Sequence, residues 1–432
     1  MNSQTEKLIY DVNERPPIPQ SLILAIQHVF AMFGATVLVP ILVNAAAGAD
    51  VLTIPVALVT SGIGTLIYAL CVKSKSPVYL GSSFAFIAPV AAGYLLDGKD
   101  GAFTGIMCVG IVYIIIAVVI RFAGKNWIDK ILPPIIIGPM IMIIGLGLAP
   151  TAISSIGLTG GTTDLKTIIA AIVTFAVTIV AAIYAKGKAR FLKIIPFLVG
   201  IAAGYIAAVI MGIVDFTPVK EAGWFSLPRF EFPFVTYSIS GGALLTIVPV
   251  ALVTICEHIG DHTALGQIIG KDLIKDPGLD RTLLGDGLAT FAAGLLGGPA
   301  NTTYGENTSV VGMTRVASSF VIKFAAIIAI IFGFLGKLTA LISTIPSAVL
   351  GGVSILLYGF IAVNGLKVLV KNQVDFSKTK NIVVSCAMLV LGLGGSVITI
   401  ATGNVALSIS GMSLAAIIGI ILNVALPDKD EQ

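Results

Sequence analysis

Charged side chains are scarce in this sequence: 11% of its 432 residues are Asp, Glu, Lys or Arg, against about 25% in an average soluble domain. With a mean hydropathy of +1.02, that shortage excludes an ordinary soluble domain. Cysteine is sparse as well. Cys71, Cys108, Cys256 and Cys386 lie within apolar runs, without disulfide or zinc spacing, and read as core packing. The first twenty residues, MNSQTEKLIYDVNERPPIPQ, lack the basic-then-apolar order of a cleaved signal peptide and read as a short cytosolic lead-in. The net charge of +4 implies no nucleic-acid partner, because the basic residues sort by loop.

What is abundant is apolar sequence. A membrane-spanning helix needs about 20 mostly apolar residues. Stretches of that length occur at 22–45, 52–73, 102–122, 131–150, 164–185, 191–214, 241–262, 316–336, 344–364, 380–400 and 406–426. The segments 78–96 and 301–314 are shorter and read as interrupted helices; 283–298 is short and glycine-rich. The expectation is therefore an all-α, multi-pass membrane protein of fourteen elements, forming one transport unit.

Orientation follows from the basic loops. With the N-terminus in the cytoplasm, twenty of the 26 Lys and Arg residues fall on the cytoplasmic side, five fall outside, and Lys323 lies within a span. One span more or fewer would reverse the later loops and spoil this asymmetry, so both termini are expected inside. The chain also repeats itself. Pro133-x4-Gly138 has a counterpart in Pro346-x4-Gly351, and positions 133 and 346 are 213 residues apart. The interrupted segment 78–96 likewise has its counterpart at 301–314. Seven elements per half means that the second half inserts inverted, with broken helices meeting near the midplane.

The stretch NTTYGENTSVVGMTR, residues 301–315, concentrates the chemistry. It holds Glu306, and a charge at mid-membrane costs about 2.5–3.5 kcal/mol and marks a functional site by default. A second acidic cluster is TICEHIGDH, where Glu257 and Asp261 share one helix face and His258 and His262 another. Glu257 is expected to lie deeper, with Asp261 and His262 towards the cytoplasmic interface. A His pair at this spacing can bind metal, but HExxH is absent and no third ligand is marked, so no metal is expected. Asp286, in LLGDGLATF, is either a proton site or a cap on loop amides. His28 either serves a substrate or proton step, or bonds a neighbouring span. Lys323 is expected to snorkel, or to pair with a neighbour or a carboxylate.

Glu257 and Glu306 come from different halves, as a midplane site requires. Carboxyl groups in low dielectric take up protons more readily than in water, which supplies a means of proton coupling. Their oxygens also accept hydrogen bonds from ring N–H donors. Broken-helix backbone groups can meet the opposite edge of a planar, uncharged ligand, with Phe84 and Tyr304 placed to pack on its face.

The segments NERPP, QHVFAMFGATVLVP, SPVYLGSSFAFIAP, the EHxG at Glu257, KDLIKDPGLDR and NTTYGEN together resemble the nucleobase–ascorbate transporter family. The likeness is strongest to its uracil-transporting bacterial branch and runs nearly the whole length. It implies two inverted seven-segment repeats with short strands in segments 3 and 10, usually a homodimer, and uptake of a nucleobase with protons as the coupling ion and no other cofactor. It also implies a core domain from 22–125 and 237–337 and a gate domain from 126–236 and 338–426. Cytoplasmic ends at 1–21 and 427–432 flank them, in the inner membrane. By position, Glu257 and Glu306 resemble the two carboxylates that bind uracil. Phe84 and Gly305 resemble backbone-contact positions, and His28 the first-span histidine. Asp261, His28, Asp286 and Asn307 resemble residues of the proton step or of site support.

The family signature Glu/Gln-Asn-x-Gly-x4-Thr-Arg fits at Glu306, Asn307, Thr314 and Arg315, but Ser309 replaces the glycine. Asp261 stands where a uracil-transporting member carries histidine, and Asp261 and Asp286 resemble the purine branch, whereas Glu306 resembles the uracil branch. Uracil is thus the first expectation and xanthine or urate the second. An anion carrier would want a basic residue at the helix break, and a channel a continuous polar lining. A membrane enzyme would need a nucleophile–base pair that the sequence does not show.

Overall fold

In hydrocarbon, an apolar run satisfies its own backbone only by closing into helices. A computed structural model describes residues 8–124, 126–160, 164–185, 192–193, 195–402 and 405–427. The basic residues Lys7, Lys125, Lys186, Lys188, Arg190 and Lys429, used above for orientation, lie outside the described residues, as do 1–7 and 428–432 of the two termini. The first half holds α1 (Ile18–Ala47), α2 (Ile54–Cys71), β1 (Leu80–Ser82) and α3 (Ile87–Ala123). It continues with α4 (Asn126–Ile131), α5 (Pro134–Gly147), α6 (Ala149–Ser155), α7 (Leu165–Tyr184), α8 (Pro196–Ile210) and α9 (Thr217–Glu221). The second holds α10 (Leu244–Ile247), α11 (Ala251–Ile269), α12 (Leu279–Leu295), β2 (Asn301–Thr303), α13 (Gly305–Thr314) and α14 (Ser319–Gly333). It ends with α15 (Gly336–Ser343), α16 (Ser347–Lys371), α17 (Thr379–Leu393), β3 (Val397–Thr402), β4 (Val405–Ser410) and α18 (Gly411–Ala425).

Among the described residues, seven helical stretches are long and apolar enough to cross a membrane, and α8, α14, α17 and α18 are shorter apolar helices. This is a multi-pass membrane protein. Helix α3 breaks at Asp97 and Gly98, where Gly98 takes φ +57°, so its two limbs cover part of 78–96 and all of 102–122. Packing falls into two sets. In one, α3 lies on α12, and α2 lies on both α12 and α14, with α1 alongside; in the other, α16 lies on α5, α7 and α6, α7 on α8, and α17 on α5 and α18. Pro133 and Pro346 each stand immediately before the first residue of a helix, α5 and α16. These two helices run antiparallel at close range: a Cβ on Gly145 would stand 2.4 Å from the Tyr358 carbonyl.

The two interrupted segments meet. β1 and β2 pair antiparallel, Leu80 opposite Thr303 and Ser82 opposite Asn301, so α3 and α13 both begin at one short strand pair. Buried hydroxyls hold it in place. Ser61 Oγ donates to the Leu80 carbonyl at 2.8 Å, and the Thr65 hydroxyl accepts from the Leu80 amide at 3.0 Å. The lead-in chain runs beside the end of α13, with the Ile9 amide donating to the Arg315 carbonyl at 2.8 Å.

The stretches 380–400 and 406–426 differ from the expectation of two full spans. Helices α17 and α18 are 15 residues each, separated by the β3–β4 hairpin. Gly394 and Gly395 end α17, Gly395 at φ +70°, and the following Val-Ile-Thr-Ile is β-branched and favours extended backbone. At the α9 and α15 end, the links joining the two packing sets are stitched together. The Ser226 amide donates to the Phe334 carbonyl and the Gly336 amide to the Trp224 carbonyl, both at 3.0 Å. Lys337 Nζ donates to the Val219 carbonyl at 2.7 Å.

Candidate functional site

Helix α11 is continuous past the strand pair, while α13 starts at it, and this juxtaposition gathers the acidic groups. Glu257 and Asp261, one turn apart, face β2 and the start of α13. Thr302 Oγ1 donates to Glu257 Oε2 at 3.5 Å, and Thr303 Oγ1 to Asp261 Oδ2 at 2.5 Å. A Cβ on Gly305 would stand 3.9 Å from Asp261 Oδ1. Glu306 occupies the first turn of α13, where free amides and the helix dipole favour negative charge. All three carboxyls are half-buried, and the Glu306 charge acts on both Glu257 and Asp261. Glu306 borders a cavity of about 10 Å³ that also touches Phe30, Gly34 and Leu38 of α1, Phe197 of α8 and Leu357 of α16. That is room for about one water, so the two packing sets close over the carboxylate.

Phe84 lies in the short 3-10 turn Phe84–Phe86 and is half-buried. Gly305 is exposed at the head of α13. Tyr304 is buried: its hydroxyl donates to the Ser82 carbonyl and accepts from Thr36 Oγ1, both at 3.0 Å, which props the strand pair. His28 binds across to α13, with Asn307 Nδ2 3.1 Å from its Nδ1 and donating to its carbonyl at 3.1 Å. This is a bond to a neighbouring span, one of the two roles the sequence offers His28. Among the described residues Asp286 meets no loop amide; its Oδ2 lies 2.8 Å from His258 Nδ1, and both side chains are fully buried. His262 is buried rather than at an interface, its Nε2 2.5 Å from the Tyr68 hydroxyl. Lys323 Nζ donates to Ser74 Oγ at 3.1 Å rather than to a carboxylate. Thr302, Thr303 and Tyr68 were not singled out from sequence. The two threonines sit immediately before the helix break, the one available signal, and Tyr68 had none.

A family model described as the permease family matches residues 19–401. The chain belongs to this family, the nucleobase:cation symporter-2 group. It is similar to a uracil permease of Bacillus caldolyticus, at 47% identity over 98% of this chain and 96% of that protein. It is also similar to one of Escherichia coli strain K12, at 43% over 96% and 92%. Among solved structures, the transmembrane domain of the cyanobacterial bicarbonate transporter BicA aligns with TM-score 0.61 and 14% identity, over 96% of this chain and 100% of that one. The inward-facing murine Slc26a9 anion transporter aligns with TM-score 0.67 and 14% identity, over 95% and 68%. These two likenesses establish the fold and nothing about cargo. The permease is thus a transporter built on that shared fold.

Proposed function

We propose that this permease imports uracil with protons across the cytoplasmic membrane by alternating access, with both termini inside and a homodimer as the working form. The observation that carries the reading is the approach of Glu257, on the continuous helix α11, to Glu306, which starts α13 and borders a narrow gap between two sets of packed helices. Two carboxyl groups on different elements suit the N–H donors of a small neutral ring. The backbone at Phe84 and Gly305 supplies groups for its other edge, and Tyr304 fixes the strand pair between them. Asp261, His28, Asp286 and Asn307 support the site or the proton step. The core domain would be 22–125 with 237–337, and the gate domain 126–236 with 338–426, rocking across this gap in two inverted halves. The uracil permeases named above, similar over nearly their full lengths, support the cargo.

Xanthine or urate is the second reading, favoured by aspartate at position 261. Anion cargo is disfavoured by Glu306 at the gap with Glu257 and Asp261 close behind it, although the fold is shared with anion carriers. The test is labelled uracil uptake into vesicles holding the purified protein. An inward proton gradient should accelerate uptake, and unlabelled uracil should compete better than xanthine or urate. No response to the gradient would overturn symport, and stronger competition by xanthine would overturn the cargo.

A further inference from the structure

The link from α9 to α10 is arranged the wrong way round for a loop in water. Over residues 222–239, AGWFSLPRFEFPFVTYSI, it carries only two charged side chains, Arg229 and Glu231. Both are held in ion pairs: Lys99 Nζ donates to Glu231 Oε1 at 2.5 Å, and Arg229 lies 3.3 Å from Glu231 and 3.7 Å from Asp50. The apolar side chains point outward instead. Trp224, Phe225, Leu227, Phe234 and Val235 are each 74–83% exposed. A solvated loop turns polar groups out and apolar ones in, and an exposed apolar patch on this scale marks a surface that meets something.

The backbone at the tip of the link says the same. The Phe234 amide donates to the Tyr237 carbonyl and the Phe232 amide to Thr236 Oγ1, both at 2.7 Å, closing a tight turn. Within it Phe234 takes φ +63°, a conformation that glycine or asparagine adopts readily and a bulky residue rarely. The phenylalanine is thus strained and exposed at once, and exposure gives it no packing within the chain to hold it there. What its ring meets lies outside the chain.

The bonds of the link fix its level against the spans. The Ser226 amide donates to the Phe334 carbonyl just past the end of α14, and the Glu231 amide to the Leu296 carbonyl just past the end of α12, at 3.0 and 3.2 Å. The Tyr237 hydroxyl donates to the Gly294 carbonyl at 3.0 Å, and Lys99, which holds Glu231, follows the break in α3. Three spans therefore change course at the height of the link. About one turn below, Ile331 of α14 is 50% exposed and Leu95 of α3 67%, and in a multi-pass protein such side chains face hydrocarbon. The link's aromatic rings stand immediately beyond them, at the level where such rings collect along a membrane–water boundary. They lie over two different spans, α14 and α12, yet at one height. A band at one height fits a planar boundary better than the single face that a second copy of the chain would cover.

We propose that residues 224–235 form an interfacial anchor, lying between the headgroups and acyl chains of the leaflet at the α9 and α15 end. Its occupant is the phospholipid bilayer: Trp224, Phe225, Leu227, Phe234 and Val235 enter the lipid, while Arg229 and Glu231 stay paired towards the protein. On the proposed orientation this is the outer leaflet. The same link carries the bonds to 334–336 that join the two packing sets, so that join is held at the membrane surface rather than in water.

The chain has two tryptophans, Trp127 and Trp224, so Trp127→Phe leaves Trp224 as the sole indole reporter. The purified variant is placed in phosphatidylcholine vesicles brominated either near the carboxyl end or near the methyl end of the acyl chain, and separately given iodide on both sides of the membrane. Bromine near the carboxyl end should lower Trp224 emission about twofold or more, as an indole at the boundary requires. Bromine near the methyl end should lower it less, and iodide far less than it lowers free tryptophan. Strong iodide quenching without a bromine effect would overturn the anchor and restore a solvated loop. Quenching by neither would place a second copy over the link and would also overturn it. If Trp127→Phe does not fold, the difference between wild-type and Trp224→Phe emission isolates the same indole. Phe234→Trp, combined with Trp127→Phe and Trp224→Phe, repeats the measurement at the tip, where bromine quenching is again expected and quenching by iodide alone would overturn the tip's place in lipid.

Discussion

Thr303 Oγ1 donates to Asp261 Oδ2 at 2.5 Å and so ties strand β2 to helix α11 beside the start of α13. Thr303→Val removes the donor with little change of shape, and a hydrogen bond to a charged group contributes about 1.5–3 kcal/mol. Uracil uptake is expected to fall at least about tenfold, with Thr303→Ser close to wild type. Equal uptake in the Val and Ser variants would separate Asp261 orientation from transport.

Glu257→Gln and Glu306→Gln each replace an acceptor-only carboxylate with an amide that also donates. Binding of labelled uracil to the purified variants should weaken by about 10- to 100-fold, the size of one lost charged hydrogen bond. Wild-type binding in both would remove the paired carboxylates from the site.

Tyr304→Phe deletes the hydroxyl shared by the Ser82 carbonyl and Thr36. Thermal unfolding should show a loss of about 1–3 kcal/mol. Gly81→Ala should be worse, because the new Cβ would stand 2.4 Å from the ring of a tyrosine pinned at its far end. A Gly81→Ala protein as stable as wild type would mean that the ring yields.

Glu231, in the link between α9 and α10, is bound by Lys99 at 2.5 Å and by Arg229 at 3.3 Å. Partial burial opposes its charge, but Lys99, Thr236 and Arg229 outweigh this and hold the carboxyl below its ordinary range. A lowered folded value means that the stabilisation is complete above the unfolded value of about 4.3 and is lost as pH falls through the folded one. Glu231→Gln should therefore unfold more easily than wild type at neutral pH, by about 1–2 kcal/mol. The gap should close only at pH below about 4. A gap independent of pH would assign the effect to shape rather than charge.

Much of this was legible because membrane sequence is simple: length and hydropathy mark helices, and a carboxylate within or between apolar runs is conspicuous, as Glu257 and Glu306 are. The β3–β4 hairpin was not legible, since an apolar Val-Ile-Thr run reads alike as strand or span over a short length. Nor was the bond between His258 and Asp286, which are 28 positions apart. The sequence offered each a role but not each other. Only the packing of α12 beside α11 settles which group Asp286 meets, and only the packing of α2 brings the Tyr68 phenol to His262 Nε2.

The seam between the 222–227 chain and the start of α15 constrains how the two packing sets can move. Two crossings fastened to each other behave mechanically as a single leaf, because neither can be paid out without dragging its twin. On the proposed alternating access, displacement at that end would be a swing about the seam, with the freer travel at the opposite end, where α4 joins the two sets.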